Sequence, residues 1–374
     1  MHTEKGPIAN SYLEVDMARL RGNVRRIYER LQPGAALIPV LKDDAFGLGL
    51  IPVGRALAAI QGIQTLAVAH TAEGIALRRQ GVMCEILVMA GMPTAHIREA
   101  LAHKLTLPLW RPGITPLCRE ALSGDAVAHA EIKIETGLNR IGVAPGEELA
   151  ALIKELRQYK DCIHITGAFS HFADTENKAF TEAQYLTFLK GAAQLSDAGI
   201  AIPRRHICGS AAFEYYPQYH MDAVRIGRGL YMDHPTKPHG GVEEVASWRS
   251  FITAIRTLPA GATLGYGTKY VLPSESRVAT VCAGYGDGLN RELAQVNAPV
   301  LVRGRRGTLL GCCMDQCFVD VTGINCAPDD EATFFGRDGA TGFLSAQAVA
   351  LLAGGDEGCG LTSALSGRVM RTYI

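Results

Sequence analysis

Along the first two thirds of the chain, short apolar runs alternate with longer segments whose apolar residues recur every three to four positions. That rhythm predicts strands, each followed by a helix. The strands fall at residues 37–41, 65–69, 85–89, 105–109, 130–134, 164–170, 205–208 and 223–226. Segments such as 51–59, 72–79, 145–156 and 183–198 are long enough to make right-handed crossovers between parallel strands. Eight strand–helix units over about 230 residues fit a (β/α)8 barrel of the TIM type, which usually takes about 250. A doubly wound open sheet is the structural alternative.

Beyond residue 240 the pattern changes. Runs 278–283, 299–303, 308–313 and 317–321 are short and broken by Gly, Pro and Asp, which predicts a mostly β C-terminal domain. Residues 11–15 form a further strand, followed by a helix over 16–31 with Asp16 placed to cap it. The expected organisation is an N-terminal segment 1–15 joining the β domain, an α/β barrel over 16–240, and the β domain over 241–374. The Pro/Gly-rich stretch 235–241, with His234 and His239, marks the junction.

Composition narrows the function classes. With 374 residues, 48 % hydrophobic, the chain can build two domains with a substantial core. Its 37 basic and 37 acidic side chains balance, so no electrostatic footprint for nucleic acid exists. No apolar run reaches the roughly 18 residues that span a bilayer, and the start is polar, so a cytoplasmic protein without a membrane partner is expected. The ten cysteines are scattered and expected to be reduced thiols. Cys312, Cys313 and Cys317 do not make a metal set, because neighbours on a strand point to opposite faces and no His is suitably spaced.

Lys42 closes the first predicted barrel strand and precedes the glycine-bearing loop Asp43-Asp44-Ala45-Phe46-Gly47-Leu48-Gly49. Reactive groups of this fold sit where strands end, and a lysine at an apolar rim loses its proton more readily, as a Schiff base requires. After the seventh strand comes Cys208-Gly209-Ser210-Ala211-Ala212, and Arg225-Ile226-Gly227-Arg228-Gly229 closes the eighth. Loops there commonly receive a phosphate on backbone N–H groups and a hydroxyl, which points to a phosphorylated cofactor.

Nine motifs occur in order along the chain. They are Lys42 with its loop, Lys133-Ile134-Glu135-Thr136-Gly137-Leu138-Asn139-Arg140-Ile141-Gly142, Ser170-His171-Phe172-Ala173, Gly209-Ser210-Ala211-Ala212, Arg225-Ile226-Gly227, Gly265-Tyr266-Gly267, Gly284-Tyr285-Gly286-Asp287-Gly288, Met314-Asp315-Gln316 and Arg368-Val369-Met370-Arg371. In order and spacing they resemble the alanine racemases, over almost the whole chain. The resemblance implies a pyridoxal 5′-phosphate enzyme that interconverts L- and D-alanine, a cell-wall precursor, with Lys42 carrying the cofactor and serving one face of the substrate α-carbon. Tyr266 would serve the opposite face from the neighbouring subunit of a homodimer. Free tyrosine has a pKa near 10 and needs help from positive charge to act as a base. The resemblance places His171 beside the cofactor, Arg225 at the pyridine nitrogen and His206 behind Arg225. It gives Ser210, Gly227 and Arg228 to the cofactor phosphate, and Arg140 to the cofactor phenolic oxygen and the substrate carboxylate. Lys133 would be carbamylated to hold Arg140. Met314 and Asp315 would approach the substrate carboxylate across the dimer, and Tyr285 and Arg291 would line its entry.

The chain also departs from the family pattern. Phe46 and Leu48 stand where the lysine loop usually has Tyr and His, and Cys359-Gly360 stand where a Tyr-Glu pair is usual. Two phosphate-directed hydroxyls are missing, each worth about 0.5–1.5 kcal/mol as an ordinary hydrogen bond. Arg228 stands where an apolar residue is usual and is expected to replace them with a charge-assisted contact. Cys359 also leaves room beside the substrate methyl, so a serine or broad-specificity racemase, resembling those of vancomycin resistance, is the alternative. A pyridoxal phosphate decarboxylase and a non-catalytic cofactor-binding protein are more remote readings.

Overall fold

The computed structural model describes residues 9–232, 241–268, 270–355 and 358–374. The predicted junction around His234 and His239 lies outside them. Two compact units emerge. Residues 24–45 and 50–230 form one, and the described residues of 1–23, 46–49 and 231–374 form the other.

The first unit is a closed barrel of eight strands, Ala36–Pro39, Thr65–Val68, Glu85–Val88, Leu107–Leu109, Ala128–Lys133, Ile163–Phe169, Arg205–His206 and Ala223–Ile226. Neighbours pair in parallel, directly or through the bridges Val40↔Ala67 and Leu87↔Thr106. Arg225 N donates to Cys208 O at 3.0 Å, linking the last two strands, and Ala36 pairs with Ala223 to close the ring. Strands covered on both faces carry continuous apolar runs, and Thr65–Val68 and Ala223–Ile226 are buried at every residue. The helices bury one stripe each: Glu147–Gln158 turns Leu149, Leu152, Ile153 and Leu156 inward, at helical spacing. The helix expected from residue 183 begins earlier, as Lys178–Asp197, because Asn177 caps it by accepting a bond from Phe180 N at 3.1 Å.

In the second unit six strands form a ring, Ala246–Leu258, Ser276–Val281, Cys317–Asp320, Arg305–Cys312, Pro299–Val302 and Glu331–Asp338, the last pairing back onto the first. Ser11–Val15 pairs antiparallel with Ala246–Leu258 and parallel with Met370–Tyr373. Asp16 then caps the helix Met17–Tyr28, accepting from Arg19 N at 2.9 Å. The long strand Ala246–Leu258 has no clean alternation because it buries Ser247 and Ser250. Both are satisfied: Ser247 Oγ accepts from Arg337 N at 3.0 Å, and Ser250 Oγ donates to Asn10 O at 2.7 Å.

The ring closes tightly at Gly336, whose φ is +92° and whose missing Cβ would lie 2.5 Å from Ala246 O. Both the left-handed backbone and the close approach exclude a side chain. Gly336→Ala is expected to cost about 1–3 kcal/mol by overpacking, seen as a lower thermal unfolding midpoint. An unchanged midpoint would show that the closure tolerates a Cβ.

Candidate active site

The first strand delivers Lys42 into an unusual turn. Asp43, Asp44, Ala45 and Phe46 all have positive φ, between 53° and 58°. Left-handed backbone costs non-glycine residues about 1–2 kcal/mol each, so the turn must be held from outside. Glu73 holds it: one carboxylate oxygen accepts from Asp43 N at 2.6 Å, and the other accepts from Ala69 N and His70 N at 2.9 Å each. Asp44 contributes its own carboxylate, which accepts from Leu50 N at 2.7 Å. Lys42 is thereby exposed at the C-terminal end of its strand while Ala45 is fully buried.

Strand ends around the same face supply the other groups. Lys133 ends Ala128–Lys133, His171 follows Ile163–Phe169, His206 ends Arg205–His206, and Arg225 lies in Ala223–Ile226. Ser210 opens the helix Ser210–Tyr215, and its Oγ accepts from Gly227 N and Gly229 N, both at 3.2 Å. Arg228 opens the next turn, Arg228–Tyr231, partly exposed.

Arg225 is the hub. It is 4 % exposed, and its two terminal nitrogens donate to His206 Nδ1 at 2.6 Å, Ser170 O at 2.5 Å, His171 Nδ1 at 3.2 Å, and the carbonyls of His206 and Ile207 at 3.1 Å. Because arginine has no acceptor, both histidines must present a bare Nδ1, which makes each the neutral Nε2–H tautomer. Burial, then the charge of Arg225, Lys133, Arg140 and Lys42, accordingly holds the His171 pKa well below the ordinary histidine range. Lys133 is buried with its ammonium 4.5 Å from the centre of the Phe169 ring. Burial first, then Arg225 and Arg140, push its pKa down to about 7.

Lys42, Lys133, Arg140 and Arg225 thus act on one imidazole, with Glu135 as the carboxylate felt by Lys133. Glu135 is itself engaged by Gly137 N at 2.5 Å and Asn139 N at 3.0 Å, shaping the loop that carries the exposed Arg140. Such an excess of cations fits a ligand bearing several anionic oxygens. With a lysine at its rim, a donor-only arginine and a hydroxyl beside glycine N–H groups, the donor set matches the aldehyde, pyridine nitrogen and phosphate of pyridoxal 5′-phosphate.

In the β unit, Tyr266 sits in the single turn Tyr266–Thr268 and is 87 % exposed. Met314 and Asp315 form the tip of the hairpin joining Arg305–Cys312 to Cys317–Asp320. Tyr285 N donates to Cys313 O at 3.0 Å and Gly286 N to Met314 O at 2.9 Å, so Tyr285 lies beside that tip, with Arg291 over its ring at 4.8 Å. Arg368 fixes the tip by pairing with Asp315 at 2.7 Å and Asp287 at 3.2 Å. Phe46 is buried against the Tyr231 ring, 5.4 Å away.

The model of the alanine racemase N-terminal domain matches residues 15–235, and that of the alanine racemase C-terminal domain matches 245–373. Alanine racemase 1 of Oceanobacillus iheyensis is 34 % identical over 91 % of this chain and 92 % of its own. Among solved structures, the alanine racemase of Streptomyces coelicolor A3(2) superposes with a TM-score of 0.90 at 32 % identity, covering 98 % of each chain. That of Bacillus anthracis with bound L-Ala-P gives 0.90 at 28 % identity, covering 99 % of this chain and 96 % of its own. The chain belongs to the alanine racemase family.

This membership makes the protein an isomerase and identifies the barrel as the TIM-type domain of alanine racemases. Serine racemisation, decarboxylation and a non-catalytic role are not favoured, since these relatives are named alanine racemases along nearly their whole lengths. The sequence reading missed the carboxylates behind the site, Glu73 and Glu131. A signal existed for the second: Glu131 is a charged residue inside a barrel strand that is buried at every residue but His129. Glu73 looked like an ordinary first-turn acid of the helix Thr71–Arg79.

Removing Glu73 should release the left-handed turn. Glu73→Ala is expected to lower kcat/KM by about tenfold or more through displacement of Lys42, with a smaller loss of thermal stability. Wild-type kinetics would show that the turn holds itself.

Proposed function

We propose that the protein interconverts L- and D-alanine as a homodimer, with Lys42 and the partner subunit's Tyr266 moving a proton at opposite faces of the substrate α-carbon. The observation that carries this reading is the convergence of Lys42, Lys133, Arg140, His171 and Arg225 at the strand ends of one barrel. Residues 16–240 are read as the cofactor-binding part, and 241–374, joined by 1–15, as the part that supplies Tyr266. An aromatic ring 87 % exposed in a single subunit suits a place in a neighbour's site. The relative solved with bound L-Ala-P supports alanine as substrate.

Pyridoxal 5′-phosphate, when bound, supplies an electron sink that acidifies the substrate Cα–H. Both terminal nitrogens of Arg225 are engaged, so Nε–H is the donor left for the pyridine nitrogen. Arginine donates there without giving up its proton; burial brings its pKa down only to about 10. The sink therefore stays weak, which favours prompt return of the proton over side reactions. Ser210 Oγ accepts two glycine N–H bonds, so its own O–H points elsewhere and serves the phosphate, with Arg228 beside it. Arg140 takes the substrate carboxylate, Met314 and Asp315 close that side across the dimer, and Tyr285 with Arg291 lines the entry.

Lys133 is suited to carbamylation, because a neutral amine is the form that attacks carbon dioxide. A pKa of about 7 leaves a substantial neutral fraction above that pH. The product is an anion, which turns a like-charge neighbour of Arg140 into a partner.

Incubation with pyridoxal 5′-phosphate and L-alanine or L-serine, followed by chiral separation, should yield D-alanine in clear preference to D-serine; absence of D-alanine would overturn the reading. Lys42→Ala and Tyr266→Phe should each lower kcat by about 10²–10⁴-fold, the range for a proton-transfer group. Mixing the two dead proteins should restore activity, because a heterodimer with shared sites regains one intact Lys42–Tyr266 pair. No restoration would place both residues in one subunit. With 13C-bicarbonate, a carbamate carbonyl signal should weaken as pH falls below about 7 and vanish in Lys133→Ala. Arg228→Ala should bind the cofactor about tenfold more weakly if its guanidinium replaces the lost hydroxyls.

A further inference from the structure

Behind Arg225, a line of polar groups, fully buried at His206 and Glu131 and partly exposed at Arg204 and Glu85, crosses the barrel interior, where layers of apolar side chains are usual. His206 Nε2 lies 2.7 Å from a Glu131 carboxylate oxygen, and both side chains are fully buried. The other Glu131 oxygen accepts from Arg204 at 3.0 Å and 2.5 Å. Arg204 also pairs with Glu85 at 2.8 Å, and Thr65 and Thr106 donate to Glu85 at 2.7 and 2.9 Å. Two carboxylates, two guanidinium groups and a neutral imidazole sum to zero charge, which is what burial at this depth demands. Gly167 makes the room: a Cβ there would stand 2.8 Å from Glu131 Oε1 and 2.5 Å from Arg204 O.

We infer that Glu131 is a positioning residue for the racemase reaction: its carboxylate fixes His206 as the Nε2–H tautomer, so that a bare Nδ1 faces Arg225. The inference rests on Arg225 serving the cofactor, as proposed above. A carboxylate alone can accept from both neighbours. Arg204 donates on one side, and His206 must donate on the other because its second nitrogen accepts from Arg225. An amide in the same place has one oxygen and one NH2. Turned toward Arg204, the oxygen leaves the NH2 facing His206, which draws the imidazole proton to Nδ1 and into the Arg225 guanidinium. Turned toward His206, it leaves the NH2 facing Arg204. The single amide oxygen is drawn to the charged Arg204, which donates to this position through two nitrogens, so the first arrangement prevails and the Arg225 guanidinium must shift.

Glu131→Gln keeps shape and volume, so it separates this role from space-filling. In the cofactor-free protein, long-range 15N–1H correlation of the histidine rings should show His206, identified by the signals missing from His206→Asn, as neutral Nε2–H. Glu131→Gln should lose that pattern. With the cofactor, its kcat should fall by at least about tenfold while KM for alanine changes by less than about threefold, and the absorption maximum of the bound cofactor should move. A wild-type His206 that is charged or carries its proton on Nδ1 overturns the inference, even if the variant fails to fold. So does a Glu131→Gln protein with the wild-type tautomer, or with wild-type kcat and spectrum. Failure of the functional reading shows separately, as wild-type protein that does not racemise alanine whatever its histidine signals.

Discussion

A guanidinium taken out of water must have its charge balanced and its N–H groups accepted, and the interior of this barrel is arranged around that requirement at Arg225. Its terminal nitrogens consume two imidazole lone pairs and three carbonyls contributed by the sixth and seventh strands and the loops that follow them. Each acceptor it uses is thereby committed. His171 and His206 cannot gain a second proton while they face it, and the backbone at Ser170 and Ile207 is tied to the same point. The charge is balanced at one remove, through His206 to Glu131. Burial alone would push that carboxyl up, but the hydrogen bond from His206 and the charge and hydrogen bonds of Arg204 reverse it and hold its pKa below the usual carboxylate range.

The same requirement explains why the cationic character of the site survives folding. Lys133 and Arg140 stand near a group that cannot release its proton, so any adjustment falls on the softer members. Lys133 yields, and so does His171, each in the neutral direction. The residues that remain charged are then the ones that an anionic ligand would meet.

How far this was legible in the sequence depends on the kind of constraint. The barrel strands follow from burial on both faces, which leaves uninterrupted apolar runs such as Leu66 to Val68 and Ile86 to Val88. Lys42, His171 and Arg225 stand out because they end such runs or interrupt them. By contrast, Ala246–Leu258 was missed because Ser247 and Ser250 occupy inward positions, and their hydrogen bonds come from residues distant in the chain, Arg337 and Asn10. The strand Met370–Tyr373 was missed for a related reason: it is half-buried and gains its place from pairing with Ser11–Val15 rather than from a pattern of its own. Glu131 stands out as an acid within a barrel strand, but what it and Glu73 support is not legible, since that is decided by which N–H groups tertiary structure brings to them.

Those two carboxylates solve opposite problems. Glu73 receives backbone N–H groups and so stabilises a conformation, the left-handed turn of Asp43 to Phe46, that local preference resists. Glu131 receives side-chain donors and so stabilises a protonation pattern that the lone imidazole would not choose by itself. A turn can relax by degrees, and its loss blurs the position of Lys42. A tautomer is discrete: the proton of His206 sits on one nitrogen or the other, and the wrong choice puts a donor against Arg225. The buried carboxylate behind the histidine is therefore the less forgiving of the two, although it lies farther from the lysine.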